Sequence, residues 1–156
     1  PMFVDVVNVT SAADMADVVK SKAAEQDIII MTAAVADFCP SHPADEKIKK
    51  NDSSYESVIE LERTEDILSY LGAHKAKGQL ICGFSMETQN MLENSKAKLA
   101  KKNADMIVAN NLKVAGAGFG TDTNVVTLIT ADDCTELEIM DKSCVAARIM
   151  DRLLKM

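Results

Sequence analysis

The segment "DIIIMTAA", Asp27–Ala34, is the clearest indication of fold class in the sequence. It is a short continuous apolar run, which is typical of a strand buried on both faces of a parallel sheet. Two later runs have the same character, "QLICGFS" at Gln79–Ser85 and "ADMIVANN" at Ala104–Asn111. An alternating, β-branched run, "FVDVVNV" at Phe3–Val9, precedes them and predicts a further strand.

Helical patterns lie between these runs. Thr10 or Ser11 can cap a first helix that reaches about Glu25, and Thr64 is expected to begin a short second helix. The segment from Glu87 to Asn103 predicts a third helix. A last helix follows a cap at Asp141 or Ser143.

Alternating patterns predict the remaining strands. "SYESVIELE" at Ser54–Glu62 is one, and "VVTLIT" and "TELEIM" flank "ADDC" as a predicted hairpin. Strand and helix therefore alternate, which predicts an α/β, Rossmann-like fold: a mostly parallel sheet with helices on both faces, plus an antiparallel hairpin near the C-terminus. Residues 1–156 are expected to form a single domain, because no internal repeat or long linker interrupts the pattern.

Composition limits the classes of function. The 156 residues carry a net charge of −7, so a general affinity for nucleic acid or for an anionic membrane surface is not expected. The sequence shows no signal peptide and no apolar run of membrane length, which makes the cytoplasm the default location. Metal-site patterns such as C-x-x-C are absent from the sequence, and reduced cysteines serving mostly as small apolar residues are favoured. The residues concerned are Cys39, Cys82, Cys134, Cys144, His42 and His74.

Candidate sites follow from the predicted sheet, since ligands of open α/β sheets bind beyond the carboxyl ends of the strands. The segments there are Ala33–Lys50, Ser85–Thr88 and Asn110–Asn124. Asp37 can act as a turn cap, or it can bind ribose hydroxyls or a metal ion. Lys47, Lys49 and Lys50 can form a solvated loop rim or a flap that closes over phosphate; an ammonium about 4 Å from a phosphate oxygen gains roughly 4 kcal/mol at a surface-like dielectric.

A second group of cations lies on the predicted third helix. Lys98 and Lys102 are four residues apart and share a helix face, with Lys101 adjacent. They can complement the helix dipole or bind an anion, and both readings stay open. By contrast, Gly116, Gly118 and Gly120 lead into strands and are better explained as a turn than as a phosphate loop. Glu87 is expected in the first turn of the helix.

Six segments resemble one known family in their order and spacing. "AAVADF", "EKIKK", "ILSYLG", "GFSMET", "KKNADMIVANN" and "GFGTDTNVVTLI" are similar to those of phosphopantothenoylcysteine synthetase, a coenzyme A biosynthetic enzyme. The resemblance covers nearly all of the chain. It implies that CTP activates the carboxylate of 4′-phosphopantothenate as an acyl-cytidylate, with release of pyrophosphate. Cysteine then forms the amide and CMP leaves, Mg²⁺ is needed, and the enzyme is a homodimer that is fused to a flavin-dependent decarboxylase in many bacteria.

The resemblance also implies roles for individual residues. Lys47 would be the catalytic residue for acyl-cytidylate formation, and Lys98 and Lys102 would bind the triphosphate. Phe84 would pack near the base. The other expected nucleotide-binding residues are Met31, Thr32, Ala33, Asp37, Glu65, Asp66, Ile67 and Leu68. No protein metal ligand is assigned.

Three departures from the family pattern bear on function. Thr64-Glu65-Asp66-Ile67 stands where the family often has Asn-Pro-Asp-Ile, and Ser85 and Met86 replace smaller residues. The family's N-terminal glycine-rich turn and its SN-x-SSG segment have no counterpart here. The chain is therefore expected to be the C-terminal part of a synthetase domain. The alternative is a non-catalytic module for CTP binding and dimerisation; a dinucleotide-dependent oxidoreductase is disfavoured because no G-x-G-x-x-G follows a predicted strand.

Overall fold

The computed structural model describes residues 2–44, 46–47, 58–86, 90–111, 114 and 120–156. Within these ranges there are four helices: α1 Ala12–Ala23, α2 Ile67–Ala73, α3 Met91–Lys101 and α4 Lys142–Leu153. The described strands are β1 Ile28–Met31, β2 Phe38–Pro40, β3 Leu61–Arg63, β4 Leu80–Met86, β5 Met106–Asn110, β6 Thr123–Asn124, β7 Val126–Ile129, β8 Cys134–Glu136 and β9 Met140–Asp141.

The main sheet has five strands in the order β1-β4-β5-β7-β8. The pairs β1–β4 and β4–β5 are parallel, whereas β5–β7 and β7–β8 are antiparallel. Only β7 among these five strands therefore runs against the others, and β7 with β8 is the predicted hairpin. The prediction of a mostly parallel sheet with a C-terminal antiparallel hairpin is confirmed.

Helices cover both faces of this sheet. On one face, α4 packs Val145, Ile149 and Leu153 against β4, β5 and β7. On the other face, α1 and α2 pack around Ile81, and α3 packs Leu99 against β5 and β7. Because the central strands are buried from both sides, they need continuous apolar runs instead of an alternating pattern.

The predicted start of α1 is confirmed at Ser11. The Ser11 hydroxyl accepts a hydrogen bond from the backbone N–H of Asp14 at 3.1 Å. In return, the Asp14 carboxylate accepts one from the backbone N–H of Ser11 at 2.9 Å. These reciprocal bonds satisfy two helix-terminal N–H groups, which is why the helix begins there.

The strand predicted at Phe3–Val9 is wrong. Residues 4–9 have no regular secondary structure, and Val4, Val6 and Val7 are exposed. An alternating pattern provides side chains that suit a strand, but the backbone N–H and C=O groups of a strand also need hydrogen-bond partners on a neighbouring strand. None of the described strands pairs with this segment.

The segment Ala33–Lys50, which was expected beyond the end of a strand, contains a strand that sequence reasoning missed. Phe38–Pro40 pairs antiparallel with Leu61–Arg63 and forms a two-stranded arm outside the main sheet. Of the strand predicted at Ser54–Glu62, only Leu61 and Glu62 are found in a strand. Residues 58–60 have no regular secondary structure, which corrects the predicted bounds, and residues 54–57 lie outside the described ranges. The short pairing of β6 with β9 was also missed.

Two helix boundaries differ from those predicted. Helix α2 is capped by Asp66, not by Thr64, because the Asp66 carboxylate accepts from the backbone N–H of Ser69 at 2.9 Å. Helix α3 begins at Met91, and the predicted earlier residues Glu87–Gln89 lie outside the described part. Gly116 and Gly118 of the predicted turn also lie outside it.

The four cysteines are free thiols, but they do not share one environment. Cys82 is buried in the core, and burial, with a smaller contribution from Asp105, raises its pKa to about 12. Cys134 and Cys144 are exposed. The expectation that cysteines serve mostly as small apolar residues therefore holds for Cys82 and is wrong for these two.

Candidate functional site

A cleft of about 180 Å³ opens where β1 and β4 end. Its walls come from the segment after β1, from the start of α2, from Phe84 of β4 and from α3. Open α/β sheets place their ligand sites at this end of the strands. The lining residues are Met31, Ala33, Val35, Ala36, Asp37, Thr64, Glu65, Asp66, Ile67, Leu68, Phe84, Lys98 and Lys102.

Thr64 connects two walls of the cleft. Its hydroxyl donates to the carbonyl of Ala36, and its backbone N–H donates to the carbonyl of Asp37 at 3.0 Å. The segment after β1 is therefore bound to the chain that leads into α2. Sequence reasoning gave Thr64 no role in the site, because its partners lie 27 and 28 residues earlier in the chain.

Lys98 brings a positive charge to the cleft. Its ammonium donates to the backbone carbonyl of Phe84 at 2.9 Å. Among the described residues no carboxylate lies within ion-pair distance of it. The charge of Lys98 is therefore available to an anion in the cleft.

Lys102 also reaches the cleft, but acidic and polar groups already contact it. Its ammonium pairs with the Asp66 carboxylate and donates to the Ser69 hydroxyl at 3.0 Å. The Lys102 side chain is only 13% exposed, whereas that of Asp66 is 50% exposed. The ammonium is thus held in one place at the start of α2.

Glu65, just before α2, also lines the cleft, and Lys20 of α1 compensates its negative charge. It pairs with Lys20, whose ammonium also lies 5.0 Å from the centre of the Tyr70 ring. The hydrogen bond to Glu65 raises the pKa of Lys20. With Glu65 and Asp66 both paired, Asp37 is the lining carboxylate that has no ion pair with a described residue.

Ten of the twelve nucleotide-binding residues predicted from the sequence line this cleft; the other two, Thr32 and Lys47, do not. Lys47 is exposed, and its predicted catalytic role stays a prediction. Lys49 and Lys50 lie outside the described residues. Val35, Ala36 and Thr64 were missed, although Val35 and Ala36 lie within the quoted "AAVADF" segment and could have been included on that signal.

A second cavity lies beside the arm, and its charges differ. Its described lining is Pro40, Ser41, His42, Pro43, Ala44, Glu46, Val58, Ile59 and Glu60. These residues include two carboxylates and neither lysine nor arginine. Unlike this cavity, the cleft at the strand ends has lysines in its lining, Lys98 and Lys102, which can attract a polyanion.

Two features are absent from the described residues. No group of three or more His, Cys, Asp or Glu side chains is placed to hold a metal ion. The described helices include none that has both the length and the apolar character needed to cross a membrane.

Comparison with known proteins gives the chain a family. The model of the "DNA/pantothenate metabolism flavoprotein C-terminal domain" family matches residues 1–156. A coenzyme A biosynthesis bifunctional protein CoaBC of Bacillus subtilis is 47% identical over 148 residues, which are 94% of this chain and 36% of that protein. A cysteine/cysteine sulfinic acid decarboxylase of an unknown prokaryote is 45% identical over 97% of this chain and 42% of its own length.

A solved structure gives the same result. The crystal structure of the C-terminal domain of a coenzyme A biosynthesis bifunctional protein CoaBC is 41% identical and superposes with a TM-score of 0.79. The match covers all of this chain and 69% of that one. Against the two curated relatives, the B. subtilis CoaBC protein and the decarboxylase, the chain spans about two fifths of their length. Sequence and fold agree with the family match, and the chain belongs to the DNA/pantothenate metabolism flavoprotein C-terminal domain family.

Proposed function

We propose that this chain is the nucleotide-binding part of a CTP-dependent phosphopantothenate–cysteine ligase that acts in coenzyme A biosynthesis. The observation that carries the proposal is the approach of Lys98 and Lys102, from one helix, to a cleft at the carboxyl ends of β1 and β4. Family membership and the similarity to CoaBC proteins support the reaction class.

The residue types in the cleft suit this reaction. A carboxylate oxygen of 4′-phosphopantothenate attacks the α-phosphorus of CTP, and the bond to pyrophosphate breaks. The amine of cysteine then attacks the acyl carbon, loses a proton, and CMP leaves. The first step brings two anions together, so ammonium groups at the phosphates lower its barrier by electrostatics and positioning. Neither step needs a protein nucleophile.

Individual residues have distinct tasks in this proposal. Lys98 and Lys102 contact phosphate oxygens, and the backbone of Met31, Thr32 and Ala33 reads the edge of cytosine. Asp37 accepts hydrogen bonds from the ribose, and Phe84 packs near the base. Lys47, on the segment between the two strands of the arm, acts on the α-phosphate in acyl-cytidylate formation when ligand is bound.

Mg²⁺ fits the cleft only together with the nucleotide. The described residues provide no three-ligand site, and Glu65 and Asp66 are occupied by lysines. Mg²⁺ commonly binds through one or two carboxylates plus substrate phosphates. Asp37 is the lining carboxylate suited to that use, and the ion would neutralise phosphate charge there.

The second candidate is a CTP-binding and dimerisation module that needs further residues for chemistry. The part of the solved CoaBC domain that this chain does not cover, about a third of it, favours this candidate. The two differ in one assay: release of pyrophosphate from CTP in the presence of 4′-phosphopantothenate and cysteine supports the ligase, and its absence supports the module. In both cases we propose a cytoplasmic homodimer, which in its natural context is joined to a flavin-dependent decarboxylase.

The proposal predicts that Lys98→Gln weakens CTP binding by about tenfold or more, because a hydrogen bond to a charged group contributes about 1.5–3 kcal/mol. Isothermal titration calorimetry with CTP and Mg²⁺ measures this. Lys96→Gln is the matched control: it removes the same charge from an exposed position of the same helix and should change affinity less than about threefold. Equal losses in both variants, or no CTP binding by the unaltered chain, would contradict the proposal.

A further inference from the structure

The contacts of Lys102 include a residue that does not line the cleft. Ser69 lies in the first turn of α2, and its hydroxyl accepts a hydrogen bond from the Lys102 ammonium at 3.0 Å. We propose that Ser69 is a positioning residue, which holds the ammonium of Lys102 at the phosphate position of the cleft. This inference rests on the proposed function.

Donor geometry supports the assignment. A lysine ammonium has three N–H donors and no acceptor. In the described structure one donor is directed to Asp66 and one to Ser69. The third remains for a ligand, and Lys102 lines the cleft. Two fixed bonds therefore define the direction of the third.

The backbone of Lys102 is fixed as well. Its carbonyl lies so close to Gly72 of α2 that a Cβ atom at Gly72 would be 1.8 Å from it. The Nδ2 group of Asn103, the next residue, donates to the Gly72 carbonyl at 2.7 Å. Because both ends of the Lys102 side chain are held by α2, little side-chain entropy remains to be lost when phosphate binds.

Ser69 has a task that Asp66 cannot perform alone. The Asp66 carboxylate is negative and half exposed, so it repels an approaching phosphate while it attracts Lys102. The serine hydroxyl is neutral and holds the ammonium without that repulsion. The helix cap places it: Asp66 caps α2 through the backbone N–H of Ser69, three residues on, so the carboxylate and the hydroxyl lie side by side.

If Ser69 had a purely structural role, Ser69→Ala would lose stability. The positioning role predicts no such loss, because alanine has a higher helix propensity than serine and the backbone N–H that caps the helix is kept in Ser69→Ala. The variant should therefore melt no lower than the unaltered chain. A loss of anion affinity without a loss of stability is the expected sign of positioning.

The test compares the unaltered chain, Ser69→Ala, Ser69→Thr and Ser21→Ala, each titrated with CTP, cytidine and inorganic tripolyphosphate. Ser21 is the matched control, because its hydroxyl donates to the carbonyl of Val18 within α1 and it is not among the described lining residues of the cleft. Ser69→Ala should bind CTP and tripolyphosphate about three- to tenfold more weakly, the range of one net hydrogen bond. Its cytidine affinity should not change, Ser69→Thr should recover the loss, and Ser21→Ala should match the unaltered chain.

Three other outcomes have distinct meanings. Unchanged CTP and tripolyphosphate affinity in Ser69→Ala overturns the positioning role and leaves the proposed function intact. A loss that extends equally to cytidine also overturns it, because the defect is then not confined to phosphate. If the unaltered chain binds tripolyphosphate in a Ser69-dependent way but shows no added affinity for CTP, the positioning role stands and the nucleotide assignment fails.

Discussion

At the scale of single residues, Asp66 links the fold to the cleft. One carboxylate oxygen caps α2 through Ser69, and the other pairs with Lys102. Partial burial pushes the pKa of Asp66 up, but the bonds from Lys102 and from the Ser69 N–H more than offset this, so the pKa lies below its ordinary value. The ionised form is therefore the one that the folded chain prefers.

This preference predicts a pH dependence of stability. A carboxyl with a lowered folded pKa adds stability that is present above its unfolded pKa, about 3.9 for aspartate, and that is lost as the pH falls through the folded pKa. Asp66→Asn should lower the melting temperature at pH 7. It should also reduce the additional fall of the melting temperature that the unaltered chain shows when the pH drops below about 4. Asparagine keeps the cap, so the change isolates the charge.

Melting curves between pH 2 and pH 7 measure this effect. The control for removal of an exposed carboxylate is Asp17→Asn on α1. If Asp66→Asn and the unaltered chain lose stability in parallel below pH 4, Asp66 is not a source of the acid sensitivity.

At the scale of elements, the junction of α2 with the end of α3 places the cleft's cations. Gly72 is buried in the last turn of α2, and the carbonyl of Lys102 occupies the space where a side chain would lie. Glycine is favoured at position 83 of β4 for a similar reason, because a Cβ at Gly83 would be 2.6 Å from a methyl group of Leu68. Small residues thus let α2 approach both its neighbours closely.

Gly72→Ala should lower the free energy of unfolding by about 1–3 kcal/mol or more, because the backbone of α3 must move to admit the methyl group. It should also weaken CTP binding, since Lys102 moves with that backbone. Urea denaturation and calorimetry measure the two effects. Ala73→Ser, one residue later and exposed, should stay within about 0.5 kcal/mol. Unchanged stability in Gly72→Ala would contradict the close packing of Gly72 in α2 against the carbonyl of Lys102.

At the scale of the whole molecule, α4 closes one face of the sheet while α1, α2 and α3 close the other. This three-layer arrangement leaves the cleft at the strand ends, between the start of α2 and α3. The stability of the scaffold therefore depends on α4, which contributes no residue to the cleft.

Two adjacent leucines test this dependence. Leu153 is 1% exposed and Leu154 is 71% exposed. Leu153→Ala should lower the free energy of unfolding by about 2–5 kcal/mol, the usual cost of a buried leucine truncation, and Leu154→Ala should cost no more than about 0.5 kcal/mol. Chemical denaturation of both variants measures the difference. Similar costs would show that α4 is not seated on the sheet through Leu153.

The layer architecture was predictable from local sequence patterns. Continuous apolar runs at Asp27–Ala34, Gln79–Ser85 and Ala104–Asn111 predicted the three adjacent parallel strands β1, β4 and β5, and the Ser11 cap predicted the start of α1. Ten lining residues of the cleft were also predictable, most of them through the family resemblance. Periodicity and capping are local properties, so they can be read without knowledge of distant neighbours.

The tertiary structure alone decided which groups meet. Lys102 and Asp66 are 36 residues apart, Thr64 and Ala36 are 28 apart, and no local pattern marks either pair. For the same reason Phe38–Pro40 forms a strand, since it has β3 as a partner, while the more strand-like Phe3–Val9 has none among the described strands. Strand pairing and ion pairing depend on the position of the second group, and packing of the whole chain sets that position.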